Sequence, residues 1–453
     1  MKILIAGAGK VGKNCTKELS SEGHDLTLID EDPAVLESVM ESYDVITVQG
    51  NGAARSTLVE AGVEDADVLI AATNADEVNL LACITASGLN PDIHTIARIR
   101  DPEYIDQAYG MSRQFGVKLV INPEAQAAME IARQLKYPGF LKRDVFAKAR
   151  VEIVELKIEE GSRLADVNLM DLQKTVRCQV LICAVLRDGK CIMPGGDFTL
   201  KAGDRIFVTG ASSELHSLLR NIGIITSPVR HVMVAGGGRI SYYLALELEK
   251  SGITSTIIEQ DKAKCDALAE VLPDATVICG DASDHSVLES EEIGSYDGFV
   301  SLTGIDELNI VMSMHANIAG VPQIVTKLGR GSNTQLMDRL PIGAVVCPKD
   351  LCTMHIVRYV RALQNQKGAA ITIHRIADNQ AEAIEFSVDG DTKHIGETLK
   401  DIHMKRNILV VSIGHGKHTE IPNGSSTYKK GDTIVVVTAA DTPVLSLNDI
   451  FED

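Results

Sequence analysis

Apolar residues in this chain come in short bursts. Up to residue 122 they form six strand-length runs, at 3–6, 26–29, 45–48, 68–72, 94–97 and 118–121, with longer mixed segments between them. Brief runs rich in Ile, Val and Leu, spaced by helix-sized stretches, predict a parallel βαβ sheet whose strands are covered on both faces. "NPEAQAAMEIARQLKYPG" then reads as a helix entered at Asn122-Pro123 and closed by Pro138-Gly139. From about 150 to 210 the texture becomes β-rich, as in "VEIVELKI" and "VLICAVLRDGKCIMP", and Asp188-Gly189 is placed for a two-residue hairpin turn.

The whole pattern then recurs. Gly7 returns as Gly236 and Asp30 as Glu259, both 229 residues on, and Gly50-Asn51 returns as Gly280-Asp281 at an offset of 230. "AATNADEVN" answers "SLTGIDELN", which pairs Thr73, Asp76, Glu77 and Asn79 with Thr303, Asp306, Glu307 and Asn309. Arg98 pairs with Lys327, and "LKAGDRIFVTG" with "YKKGDTIVVVT". A near-constant offset over most of the chain marks a tandem duplication. The predicted fold class is therefore α/β: two tandem Rossmann-like, doubly wound parallel sheets, each followed by a small β-rich lobe. The expected divisions are a first sheet domain at 1–122, a crossover helix and linker at 123–149, and a first lobe at 150–226. The second sheet domain is expected at 229–347, its helix and linker at 348–369, and the second lobe at 370–453.

Gly7-Ala8-Gly9-Lys10-Val11-Gly12 is a GxGxxG turn directly after a strand and opening a helix. The first glycine makes the turn, the second admits a pyrophosphate, and the third lets helix and strand pack closely. The anion then meets free backbone N–H groups at the positive end of the helix dipole. Asp30 ends the second strand, where a carboxylate can accept ribose hydroxyls. The run Asp30-Glu31-Asp32 would repel a 2′-phosphate, which favours NAD(H) or an adenine nucleotide over NADP. In the second turn, Gly236-Gly237-Gly238-Arg239-Ile240-Ser241, serine replaces the third glycine. That change must separate helix from strand or be met by local repacking. Glu259 keeps the acid with one more methylene, and both an occupied site and a scaffold-only turn fit this second copy.

Thr73-Asn74 and Thr303-Gly304 end the fourth strands, at the sheet edge where open α/β folds bind ligands. Asp76, Glu77 and Asn79 suit ligand contact, and equally suit helix capping. Arg98 is placed either to reach phosphates or to form a surface salt bridge.

With 453 residues, 45% of them apolar, the chain has material for about three domains of ordinary size. A net charge of −18 argues against nucleic acid as a partner. No stretch approaches the ~18 continuous apolar residues of a membrane span, and the first apolar run is too short for a signal-peptide core; a cytoplasmic protein is expected. The nine scattered cysteines, Cys183 and Cys279 among them, are expected to be buried and reduced. Cys347 and Cys352 have no histidine placed to complete a zinc site, so no metal is expected.

An oxidoreductase needs an acid–base group beside its substrate. Between residues 142 and 228 there is a single histidine, His216, which has the setting of a helix-face residue. His415 and His418 fall in an expected solvated hairpin. No catalytic residue is assigned, and an NAD-dependent oxidoreductase with an unfamiliar site is the alternative reading.

"MKILIAGAGKVG", "TLID", "GNGA", "ADVLIAATNADEVNLLAC" and "IARIRDPEY", duplicated with a β-rich lobe after each copy, resemble the regulatory subunits of Trk-type potassium uptake systems. That family is built from tandem RCK modules, and the resemblance spans essentially the whole chain. It implies a non-enzymatic, peripheral cytoplasmic subunit that assembles as a homo-oligomeric ring, typically of four chains, beneath a membrane potassium transporter. NAD(H) and ATP or ADP would bind in the cradles and change the ring's shape. Carried onto this chain, the first site would use Gly7, Ala8, Gly9, Lys10, Val11, Asp30, Asn51, Thr73, Asn74 and Arg98. Asn51 stands where many relatives have an acid. The second would use Gly236, Gly237, Gly238, Arg239, Ile240, Glu259, Asp281, Thr303, Gly304 and Lys327.

Overall fold

The computed structural model describes residues 1–105, 116–136, 142–146, 151–224, 228–329, 340–364, 370–378, 380–416, 418–439, 441–442, 444 and 446–452, with backbone alone at 142–145, 212, 216, 362, 364 and 370. Pro138-Gly139 and the side chain of His216 thus lie outside the described residues. The chain forms two compact units, Met1–Lys136 with Val229–Val360, and Tyr137–Pro228 with Arg361–Asp453.

The first unit contains two six-stranded parallel sheets. The first repeat runs β1 (Lys2–Ala6), α1 (Lys10–Ser21), β2 (Asp25–Asp30), α2 (Pro33–Met40), β3 (Ile46–Gln49), α3 (Arg55–Glu60), β4 (Val68–Ala71), α4 (Asp76–Leu89), β5 (His94–Arg98) and β6 (Leu119–Ile121), followed by α5 (Pro123–Lys136). Its strand order is β3-β2-β1-β4-β5-β6. The order reverses between β1 and β4, which opens a crevice at the carboxyl ends of those two strands. Ile5 lies between Leu28 and Ile70 in register, and all three are buried.

In the first unit, α5 does not cover the sheet it follows. Its stripe of Ala127, Ala128, Ile131, Ala132 and Leu135, spaced for one helix face, packs with Val232, Val234, Leu244 and Val300 of the second repeat. A β-carbon on Gly298 would come within 3.0 Å of Leu135 Cδ2.

The first lobe, in the second unit, comprises β7 (Lys142–Phe146), β8 (Val151–Lys157), α6 (Leu172–Val176), β9 (Val180–Arg187), β10 (Lys190–Ile192), β11 (Arg205–Gly210) and α7 (Ser212–Asn221). β7 pairs with β8 upstream of residue 150, inside the stretch expected as a linker. Asp188 and Gly189 have φ of 52° and 73°, and this left-handed pair closes the β9–β10 hairpin.

The second parallel sheet belongs to the first unit and repeats the plan. It is built from β12 (His231–Ala235), α8 (Arg239–Glu249), β13 (Thr254–Glu259), α9 (Lys262–Val271), β14 (Thr276–Cys279), α10 (His285–Ser290), β15 (Gly298–Ser301), α11 (Asp306–Ile318), β16 (Gln323–Lys327) and β17 (Ala344–Val346), with α12 (Pro348–Gln364) after it. The order is again β14-β13-β12-β15-β16-β17. α12 returns the exchange. The Cys15 thiol lies 4.0 Å from Thr353 Oγ1, Asn14 Nδ2 donates to Asp350 Oδ1 at 2.8 Å, and His94 Nδ1 lies 3.3 Å from Tyr359 Oη. Each sheet is completed by the helix that follows its twin.

The second lobe adds β18 (Ala370–Ile376), β19 (Ala381–Ser387), β20 (Ile408–His415), β21 (His418–Glu420) and β22 (Thr433–Ala439). The antiparallel orders β10-β9-β11-β8-β7 and β21-β20-β22-β19-β18 correspond strand for strand. The two lobe sheets share one apolar layer, in which Phe146, Ile153, Ala184 and Phe207 meet Ala381, Ala383, Val411 and Val435. His415 and His418 face each other across the β20–β21 hairpin, as expected from the sequence, with His418 exposed, but His415 is not simply solvated. It ends β20, with Nδ1 2.7 Å from the buried Asp432. In the first lobe the same place is taken by Arg187, whose Nε and Nη2 each donate to Asp204 at 2.7 Å.

Among the described residues no helix is long and apolar enough to cross a membrane. Leu135→Ala, which empties a side-chain volume on α5, is expected to cost about 2–5 kcal/mol. Hydrogen exchange should locate the loss in β12 and β15 of the second repeat, with β1 and β4 spared.

Candidate functional site

The two glycine turns sit at the carboxyl edges of their sheets. Gly7 has φ of 103°, and a β-carbon there would lie 2.7 Å from the backbone nitrogen of Thr73. The turn therefore lies directly against the end of β4, and only glycine satisfies both conditions. Gly9 caps α1 without any side-chain hydrogen bond, is exposed, and has nothing within 4 Å of where a β-carbon would be. Lys10 is exposed beside it, and Ala8 and Val11 are buried. At Gly12 a β-carbon would stand 1.9 Å from the carbonyl oxygen of Gly7.

The second turn resolves that last contact differently. Ser241 is fully buried, and its hydroxyl donates to the Gly236 carbonyl. Gly236 keeps φ of 107°, but its hypothetical β-carbon clears the end of β15 by 3.1 Å, a few tenths more than at Gly7. Local repacking, rather than separation of helix from strand, is how serine is accepted. Gly238 caps α8 as Gly9 caps α1, exposed and without a side-chain bond, with Arg239 exposed next to it and Ile240 buried.

Each acid grips its own turn. Asp30 Oδ2 accepts from Ala8 N at 2.6 Å and Oδ1 from Asp32 N at 3.0 Å. Glu259 Oε2 accepts from Gly237 N at 2.7 Å and Oε1 from Asp261 N at 2.9 Å. Asp30 stays half-buried while Glu259 is buried. The longer acid needs room, and a β-carbon on Gly237 would meet Glu259 Cβ at 2.8 Å and Leu268 Cδ1 at 2.7 Å. Ala8 with Asp30, and Gly237 with Glu259, fill the same space in two ways. Each carboxylate oxygen retains a lone pair for a ribose hydroxyl.

The polar residues at the fourth strand's end divide sharply. Asn79 is buried, its Oδ1 accepting from Thr73 N at 2.8 Å and from Thr73 Oγ1 at 2.7 Å, while Nδ2 donates to the Arg98 carbonyl at 2.8 Å. Asn309 repeats the pattern with Thr303 and Lys327. Asp76 Oδ2 accepts from Arg100 N and Asp101 N, both at 2.8 Å. Helix capping is not the role they perform: Ala75 caps α4 without a side-chain bond, and Asn79 and Asp76 tie strand ends together instead. Asn51 Oδ1 accepts from Ala53 N, and Asp281 Oδ1 from Ser283 N, both at 2.9 Å, so those two polar groups turn into their own loops. Asn74 and Gly304 are exposed at the mouth.

Among the described residues Arg98 makes no surface salt bridge. It is half-buried, its Nη1 reaches the Thr73 carbonyl at 3.4 Å, and its Nε is buried without a hydrogen-bond partner among the described residues. Burial, with a smaller effect from Arg100, pushes the Arg98 guanidinium below its ordinary range, against the pull of Glu124. Lys327 donates to the Thr303 carbonyl at 2.6 Å. Burial lowers it too, Asp306 opposes this, and Lys10 of the first turn adds repulsion. The turns therefore face each other across the two repeats. Arg239 of the second reaches Asp101 of the first at 3.8 Å, and Tyr243 links Asn122 Nδ2 (2.9 Å) to the Arg100 carbonyl (3.2 Å). Glu124, Asp101 and Tyr243 carry no motif, and a pairing of α8 with α5 was the missing clue.

Models of known families match this chain twice as a TrkA-N domain, at residues 3–123 and 232–348, and once as a TrkA-C domain, at 153–223. The chain belongs to the TrkA family. A Trk system potassium uptake protein TrkA homolog of Methanosarcina mazei is 31% identical to this TrkA-family chain, covering 97% of it and 98% of the relative. TrkA of Vibrio alginolyticus is 30% identical, covering 100% and 99%. Among solved structures, the GsuK channel bound to NAD superposes with a TM-score of 0.64 at 17% identity, covering 97% of this chain and 77% of that one. It shares the fold.

The coupling between acid and turn is testable. Gly237→Ala is expected to destabilise the chain by about 1–3 kcal/mol through overpacking. Adding Glu259→Asp should recover part of that loss, giving a favourable interaction in a double-mutant cycle read by chemical denaturation.

Proposed function

We propose that this protein is the nucleotide-responsive regulatory subunit of a Trk-type potassium uptake system. The observation carrying this reading is the pair of helix N-termini, uncapped by side chains, facing each other inside one unit with Lys10 and Lys327 in repulsion between them. A diphosphate at such a site accepts backbone N–H groups and offsets that repulsion at once. Gly7, Ala8, Gly9, Lys10 and Val11 hold the phosphates, Asp30 the ribose, and Arg98 with Thr73 the floor. Gly236 to Ile240, Glu259, Thr303 and Lys327 do the same in the second cradle. Asn51, Asn74, Asp281 and Gly304 form the rim. The ligands are NAD(H) and, in the same cradles, ATP or ADP; the solved GsuK structures include forms bound to NAD and to ADP. A ligand moves a shape equilibrium only through its different affinity for the two shapes, and two cradles that share cations supply that difference.

The subunit acts as a ring of four chains on the cytoplasmic face of a membrane potassium transporter. Twin apolar faces support self-association. Leu81 and Ile84 on α4 are exposed, and so are Val311, which corresponds to Leu81, and Ile318 on α11. The reading as a regulator rather than an oxidoreductase rests on the cradle residues, whose free groups are suited to hold and orient an anion.

Asp30→Ala is expected to weaken binding of NADH or ATP by about 1–3 kcal/mol, the scale of a hydrogen bond to a charged group, measured by titration calorimetry. Unchanged affinity would remove Asp30 from the site, and NADH turnover across carbonyl substrates would favour the oxidoreductase. Leu81→Glu with Val311→Glu should convert the assembly to smaller species in light scattering while leaving the circular dichroism unchanged.

A further inference from the structure

Three cysteines depart from the expectation of buried thiols: Cys191 and Cys347 are half-buried, and Cys279 is exposed, at the end of the edge strand β14. It is the register partner of Glu259 on β13. From the other side, α9 brings Cys265, which is buried and whose thiol donates to the Glu259 carbonyl oxygen at 3.2 Å. The same carbonyl accepts from Gly280 N at 2.9 Å, the residue after Cys279. Cys279 lies near enough to add to the upward shift that burial gives the Cys265 thiol. Cys183, by contrast, is buried against the Phe207 carbonyl at 3.2 Å. The first repeat has Leu36 and Gln49 at the two corresponding positions, so the pair is confined to the second cradle.

We propose that Cys265 and Cys279 form a peroxide-oxidisable pair that links α9 to β14 beneath the second cradle's acid. The exposed Cys279 sulfur, as thiolate, attacks a peroxide oxygen. The O–O bond breaks, hydroxide leaves and is protonated to water, and Cys279 becomes a sulfenic acid. The Cys265 sulfur then attacks the Cys279 sulfur. The S–O bond breaks, hydroxide leaves with the Cys265 proton as a second water, and the S–S bond forms. Two thiols lose two hydrogens and one hydroperoxide is reduced. Burial raises the Cys265 thiol to about 11, with Cys279 adding to the effect, which keeps it protonated until the sulfenic acid is in place.

The consequence lies one helical turn away. α9 also carries Leu268, whose Cδ1 packs against Gly237 in the glycine turn. Tying the start of this helix to β14 fixes the wall that the turn and Glu259 share. The first cradle, without the pair, stays as it was, so oxidation distinguishes the two halves of a duplicated site.

The test is peptide mapping of the full-length protein under non-reducing conditions after treatment with equimolar hydrogen peroxide. The expected product is one Cys265–Cys279 linked peptide, lighter by two hydrogens than the two thiol peptides together and returned to them by dithiothreitol. Cys265→Ser should stop Cys279 at the sulfenic acid, trapped by dimedone, with a second equivalent of peroxide carrying it to the sulfinic acid, and Cys279→Ser should leave Cys265 reduced. Sulfinic acid at Cys279 in the unaltered chain, without the linked peptide, would overturn the proposal. So would cross-linking only between Cys279 residues of two chains, or no reaction at peroxide levels that oxidise free glutathione.

Discussion

The exchange of α5 and α12 between the two parallel sheets is the constraint on which the rest depends. A sheet of this kind must be covered on both faces, and here part of each cover comes from the helix that follows the other repeat. Leu135 lies on Gly298, and Thr353 lies beside Cys15. Neither repeat completes its core alone, so the two carboxyl edges are held in one body. The cradles face each other because their covers are shared.

That arrangement explains which polar residues serve ligand and which serve frame. Asn79 and Asn309 spend their amides on tying β4 to β5 and β15 to β16. Fully used buried amides fix a backbone geometry, here the strand ends from which Arg98 and Lys327 project. The groups still having capacity are the uncapped helix starts, the second lone pairs of Asp30 and Glu259, and the buried Nε of Arg98. All of them suit an anion flanked by a sugar.

Much of this was legible in the chain. The strand rhythm, the 229-residue offset and the strand–glycine–helix–acid order are local properties, and local patterns report local structure. What was not legible is contact between distant segments. The apolar stripe of α5 says that one face is buried, not which sheet buries it. The fate of Ser241 was also hidden, because a hydroxyl replacing a hydrogen can wedge or can bond, and only the position of the Gly236 carbonyl decides. One coupled signal was present in the duplication. Ala8 becomes Gly237 just where Asp30 becomes Glu259, a methyl lost where a methylene is gained. Two copies of one site in one chain carry the kind of information that would otherwise need a second sequence.

The electrostatics of the crevice give the duplication its use. Burial depresses Arg98 and Lys327, so both charges stand against a desolvation cost. Lys10 adds to that cost at Lys327 although it belongs to the other repeat. On the proposed reading, a phosphate drawn to Lys10 and the N-terminus of α1 therefore lowers the free energy of a lysine in the second cradle. Because linkage is reciprocal, an anion beside Lys327 must favour occupancy next to Lys10 by the same amount, less whatever repulsion the two anions exert on each other. The sign of cooperativity between the cradles is set by that difference.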